Sequence, residues 1–147
     1  MTETLSPAAL TRINDIIIAG PFGTHVGMSV DVLEVDRVVV RMHGAPHIMN
    51  ALGIVHGGAT ATLLDTAATA AAWATPDAKP TTRGTTVALA INYIGAGQEG
   101  DMIAEGTVIS RGGTLTIVDV VARDIAGRIV AKAQATYKLD LARDRRV

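Results

Sequence analysis

Gly57-Gly-Ala-Thr-Ala-Thr-Leu-Leu-Asp65-Thr-Ala-Ala-Thr-Ala-Ala-Ala-Trp73 is the stretch on which the reading of this chain turns. Its residues are small or apolar on every face, so the pattern predicts a helix enclosed by other protein. The helix is expected to end near Thr75-Pro76, where proline removes a backbone donor. Between His56 and Asp77 the only ionisable side chain is Asp65. A carboxylate inside such a helix is costly unless it is paired, hydrogen-bonded or chemically employed.

Upstream, Ser6-Pro7 is a helix-start signal, and Leu10, Ile13 and Ile17 follow at helical spacing until Gly20-Pro21. From His25 to Met42 the pattern changes to β-branched residues. Val26–Val30 and Val38–Met42 read as strands, with Leu33–Arg37 as the turn between them. Residues 43–54 carry Pro46, Asn50 and Gly53, an irregular lead-in to the long helix. Downstream, Thr86–Ile94 alternates, with Val87, Leu89, Ile91 and Tyr93 on one face, and strands over 101–110, 114–122 and 128–139 follow. The breaks at Gly95–Gly100, Arg111–Gly113 and Asp124–Gly127 are too short for crossover helices, so the sheet is expected to be antiparallel. The sum is an α+β chain with an N-terminal helix and a long central helix wrapped by a curved sheet of five to six strands. One domain is expected over 1–147, with its core at about 20–140 and a frayed tail over 141–147.

The chain has 147 residues, 48% hydrophobic and 18% charged, with a net charge of −1. It is too apolar to be disordered, and a domain with so few charges has apolar surface that oligomerisation would hide. Its charge gives no general attraction for nucleic acid or an anionic membrane. No cysteine is present, which excludes disulfides and thiol chemistry. Residues 57–76 match a membrane span in length, but their threonines, alanines and Asp65 make a poor one. The start lacks a basic, apolar signal, so a cytoplasmic protein is expected.

Several chemical signatures fail on inspection. Gly95-Ala-Gly97-Gln-Glu-Gly100 spells the dinucleotide fingerprint, but a strand pattern follows it where a helix N-terminus is needed. It reads as a hairpin loop. Ser6, Ser29 and Ser110 lie in no nucleophile elbow. His43, His47 and His56 are close in sequence, but Pro46 breaks helical pairing of the first two, so no metal is expected.

His56-Gly57-Gly58 is more informative. Two glycines either allow close packing or leave helix-start N–H groups open to a developing oxyanion. Gly57 and Asp65 are eight residues apart, roughly 12 Å along a helix axis. One substrate carbonyl cannot meet both within one chain. Two antiparallel helices about a two-fold axis would bring one chain's Gly57 to the other's Asp65, and would also cover the helix.

These residues carry a resemblance. Asn50, His56-Gly57-Gly58 and Asp65, followed by the strand Gly84–Tyr93, resemble the hotdog-fold acyl-CoA thioesterases, over roughly 20–140. The nearest type is that of the phenylacetate pathway, related to the 4-hydroxybenzoyl-CoA thioesterases. The resemblance implies a hotdog fold and thioester hydrolysis in a homodimer or homotetramer, with no cofactor. It implies that the Gly57 amide polarises the thioester carbonyl, Asn50 helps bind the carbonyl or the water, and His56 braces the loop. Asp65 of the facing chain would be general base or nucleophile, with Thr69 and Thr86 as hydroxyls that place water. Arg111, before the Gly112-Gly113 turn, and Arg83 would meet the coenzyme A phosphates, although the basic cluster common after that turn is replaced by Thr114-Leu115. Met49, Leu64 and Trp73 are either acyl-pocket lining or core. Two other readings stay open: an acyl-CoA-binding protein without catalysis, and an acyl-CoA hydratase or dehydratase.

Overall fold

A computed structural model describes residues 3–141. Helix α1 (Pro7–Thr11) is capped by Ser6, whose hydroxyl accepts from the Ala9 amide at 3.1 Å. It winds on as a π-helix over Arg12–Ile18, which changes the face expected from a 3.6-residue period. Ile13 and Ile18, five residues apart, share the buried side, while Leu10 is 41% exposed. A second short helix, α2 (Pro21–His25), follows the stop expected at Gly20-Pro21, and the strand expected from Val26 begins at Met28.

Six strands form one antiparallel sheet: β1 (Met28–Glu34), β2 (Arg37–Met42), β3 (Arg83–Tyr93), β4 (Met102–Arg111), β5 (Leu115–Arg123) and β6 (Ile129–Asp140). Their order is β1-β2-β4-β5-β6-β3. The turn between β1 and β2 is tighter than expected, only Val35-Asp36, with Asp36 at φ +62°. Aspartate tolerates that left-handed conformation. Gly95–Gly100 is not a hairpin loop. β3 pairs with β6 at one edge and β4 with β2 and β5, so the segment crosses the ends of two intervening strands. That is a span of about 14 Å at ordinary strand spacing. Local spacing could not reveal it, because strand order is decided by long-range pairing.

The long helix α3 (Gly57–Trp73) packs against β2, β3, β4, β5 and β6, the hotdog arrangement that the resemblance implies. Its Ala67, Ala68, Ala70, Ala71 and Ala72 are all fully buried, in one core with Val38, Val40, Met102, Val118 and Val120 of the sheet. At Gly106 of β4 a Cβ would stand 2.6 Å from the Ala67 carbonyl oxygen, so backbone meets backbone there. Leu64 and Trp73 belong to this core, and Met49 packs against it. Enclosure is not complete within one chain: Thr62, Asp65, Thr66 and Thr69 form a part-exposed stripe down one side of α3.

A β-bulge at Val87 breaks the alternation expected along β3. Thr86, Leu89, Ile91 and Tyr93 pair with Tyr137, Ala135, Ala133 and Ala131, so they share the helix-facing side, and Val87 does not belong to that row. No helix of the described residues is long and apolar enough to cross a membrane. Of the expected frayed tail, Leu141 packs against the core, and the other residues lie outside those described.

Candidate active site

The start of α3 is held from several sides. His56 is its N-cap, and its Nδ1 accepts from the Gly58 amide at 2.9 Å. That bond puts the proton of a neutral imidazole on Nε2. The His56 amide donates to Ile48 O at 2.8 Å, and the His56 carbonyl accepts from Thr60 at 3.1 Å. The second bond polarises the peptide that carries the Gly57 N–H, which, as a first-turn amide, has no acceptor inside its own helix. The crossing segment supports the approach, because Gly97 O accepts from the Val55 amide at 2.9 Å.

Asn50 precedes this cap in a tight turn. Its side-chain oxygen accepts from the Leu52 amide at 2.9 Å and the Ile54 amide at 3.3 Å. The oxygen is thus held by its own loop, and the carboxamide NH2 is the part left to act as a donor.

Tyr93 is a neighbour that sequence reasoning missed. Its hydroxyl donates to Gly57 O at 2.9 Å, and a Cβ on Gly57 would lie 3.6 Å from its ring. In the sequence it was one more alternating strand residue, and only its place at the end of β3 hinted at more.

Two turns down, Asp65 sits on the part-exposed stripe. Thr86 of β3 donates its hydroxyl to Asp65 Oδ1 at 2.8 Å. Among the described residues it is the hydrogen-bond donor to that carboxylate. Thr69 lies one turn further on the same stripe, without contact to Gly57 or Asn50, which stand at the other end of the helix. Nearby, Trp73 Nε1 donates to the buried Tyr137 hydroxyl at 2.9 Å. Burial pushes the Tyr137 hydroxyl up in pKa, with Asp65 adding to the rise, against the lowering effects of Trp73 and Arg12.

The two arginines are placed apart from the helix start. Arg111 reaches Asp36 Oδ1 at 2.6 Å and the Ala72 carbonyl at 2.9 Å, closing the last turn of α3. Arg83 is exposed at the start of β3, beside a small surface cleft it shares with Gly84, Thr85, Lys138 and Asp140.

One serine does meet a histidine. Ser29 Oγ lies 3.1 Å from His43 Nε2, but His43 Nδ1 is 3.6 Å from Asp101, longer than a hydrogen bond. Asp101 is instead held by the Gly44 amide at 2.8 Å and by Arg41 at 3.1 Å, and these with His43 keep its carboxyl below the usual range against the effect of burial. Among the described residues no cluster of His, Asp and Glu has a metal-holding arrangement.

A family model described as the Thioesterase superfamily matches residues 52–131, more than half of the chain. The chain belongs to the thioesterase superfamily. The matched stretch takes in Gly57, Asp65, Thr86 and Tyr93, while Asn50 lies just before it. Within curated relatives, human acyl-coenzyme A thioesterase 13 is 30% identical over 105 residues, covering 70% of this chain and 73% of the relative. A thioesterase family protein from Silicibacter pomeroyi has the same fold, with a TM-score of 0.82 at 23% identity, covering 90% of this chain and 98% of that one. A hypothetical thioesterase protein from Streptococcus pneumoniae, crystallised with coenzyme A, is 26% identical with a TM-score of 0.67, covering 76% of this chain and 84% of that one.

Proposed function

We propose that this member of the thioesterase superfamily hydrolyses acyl-coenzyme A thioesters at a site completed by a second copy of the chain. The observation that carries the reading is Asp65: a carboxylate on a part-exposed helix stripe, hydrogen-bonded to Thr86 and eight residues below the open Gly57 amide. The helix is continuous from Gly57 to Trp73, so roughly 12 Å separates the two within one chain. A two-fold partner laying its own α3 antiparallel to this one places each Asp65 near the other's Gly57. The outer edge of β3, which pairs only with β6 among the described strands, lies beside that stripe and suits the same partner. A homodimer is the minimum assembly, and a homotetramer is compatible with it.

In this site the thioester carbonyl accepts from the Gly57 N–H, and Asn50 donates to the carbonyl or the water through its side-chain amide. Asp65 takes a proton from water as the oxygen bonds to the carbonyl carbon, and the oxyanion is held by the Gly57 amide. Collapse breaks the carbon–sulfur bond, and the departing thiolate takes the proton. In the variant path Asp65 attacks the carbonyl itself and expels the coenzyme A thiolate, and water then hydrolyses the mixed anhydride to the free acid and the Asp65 carboxylate, its proton going to the thiolate. The motif from Asn50 to Asp65 is nearest the phenylacetate-pathway type. Arg83 is the better of the two arginines for coenzyme A phosphates, because the charge of Arg111 is already offset by Asp36.

The test is thiol release from short, medium, long and aromatic acyl-CoAs by wild type and Asp65→Asn. Hydrolysis by the wild type and a loss of at least about 10²-fold in the variant are expected, with the oligomer unchanged by size-exclusion chromatography. Wild-type turnover in the variant overturns the role of Asp65. Binding of acyl-CoA without thiol release by the wild type points to the non-catalytic reading instead.

A further inference from the structure

We propose that Tyr93 is a positioning residue that sets the aim of the Gly57 amide; the inference rests on the reading of that amide as the oxyanion donor. The peptide unit between Gly57 and Gly58 is pinned at both ends. Its oxygen accepts from the Tyr93 hydroxyl at 2.9 Å, and its N–H donates to His56 Nδ1 at 2.9 Å. A peptide plane fixed at both polar ends has little freedom to rotate, so the Gly57 Cα is held with it, and the preceding plane, which carries the Gly57 N–H, is held at its His56 carbonyl by the Thr60 amide at 3.1 Å.

Packing within its own chain does not explain this tyrosine. The residue is 56% exposed in the single chain, far more than a large aromatic needs when its purpose is to fill that chain's core. Its ring lies flush with Gly57, where a Cβ would be 3.6–3.9 Å from Cε1, Cζ and Oη. The support beneath it is firm: Tyr93 pairs with Ala131 at the end of β3, and the next two amides, Ile94 and Gly95, both donate to Val130 O at 2.8 and 3.0 Å. The edge strand therefore reaches α3 twice, through Thr86 at Asp65 and through Tyr93 at Gly57. One strand thus touches α3 both at its start and at its central carboxylate.

The test compares Tyr93→Phe with wild type by two readouts. In thioester hydrolysis, kcat is expected to fall about tenfold, the size of one lost orienting hydrogen bond, with KM within about twofold and the thermal midpoint little changed. In 15N–1H spectra, the Gly58 amide, which senses hydrogen bonding at its own peptide's carbonyl, is expected to shift and to exchange faster with solvent. An unchanged kcat in an active enzyme, or an unmoved Gly58 resonance, overturns the proposal. If wild type releases no thiol from any acyl-CoA, the functional reading fails, and the Gly58 resonance still decides the positioning. Tyr93→Leu, which removes the ring as well, is expected to show the same Gly58 shift, which keeps the test open if one variant folds poorly.

Discussion

Thr86 of β3 donates its hydroxyl to Asp65 of α3 across 2.8 Å, tying the one carboxylate of the central helix to the edge strand of the sheet. The bond holds Oδ1 of a side chain that is part-buried on the helix stripe. A hydrogen bond to a charged group is worth about 1.5–3 kcal/mol.

Thr86→Val keeps the shape and removes the donor. We expect kcat/KM for acyl-CoA hydrolysis to fall about tenfold or more, and Thr86→Ser to restore most of it. Equal activity of the valine and serine variants would show that the hydroxyl does not orient the carboxylate.

Gly57→Ala separates stability from activity. The added methyl meets the Tyr93 ring at ordinary van der Waals distance, 3.6 Å, and alanine is the better helix former. The thermal midpoint is expected to hold or rise. Thioester hydrolysis is expected to fall by about 10²-fold, because the methyl stands where a carbonyl must approach the amide. Full activity in a well-folded variant would remove Gly57 from the oxyanion site.

Gly106→Ala tests the contact between helix and sheet. Its Cβ would lie 2.6 Å from the Ala67 carbonyl oxygen, backbone that cannot swing aside. A loss of about 1–3 kcal/mol in urea unfolding is expected, the usual cost of overpacking. An unchanged midpoint would mean that α3 can lift from β4 at little cost.

Acid stability should depend on Asp124, which is buried in the turn between β5 and β6. Burial pushes its carboxyl up, but hydrogen bonds from the Arg128 amide and guanidinium and the Gln98 amide outweigh that and hold it below the usual range. A lowered folded-state pKa contributes stability that is fully present above the unfolded value, about 3.9, and is lost as pH falls through the folded value. Thermal midpoints from about pH 6 down to about pH 2 should drop less steeply for Asp124→Asn than for wild type, and the variant should be the less stable protein at neutral pH. Parallel curves would assign the acid limb to other carboxylates.

The legible part of this protein lay in local pattern. An apolar run with one aspartate announced α3, two glycines after His56 announced its bare start, and His56 does cap it. Short polar breaks announced antiparallel strands, and six are present. The illegible part depended on residues far apart in sequence. Gly95–Gly100 looked like a hairpin because its length suits one, yet β3 had already paired with β6. Val87 looked like part of an apolar row until a bulge displaced it. Arg111 looked like a surface cation, but Asp36, 75 residues away in sequence, takes its charge.

Composition and periodicity were enough to place a nearly chargeless helix inside a sheet, since burial of apolar faces at periods of 3.6 and 2 is a local property of the chain. They also singled out Asp65 as a carboxylate that needed a reason. What surrounds that carboxylate was decided only by tertiary structure. Strand order and register bring the Thr86 hydroxyl to Asp65 and the Tyr93 phenol to Gly57, and both come from an edge strand whose position no local spacing encodes.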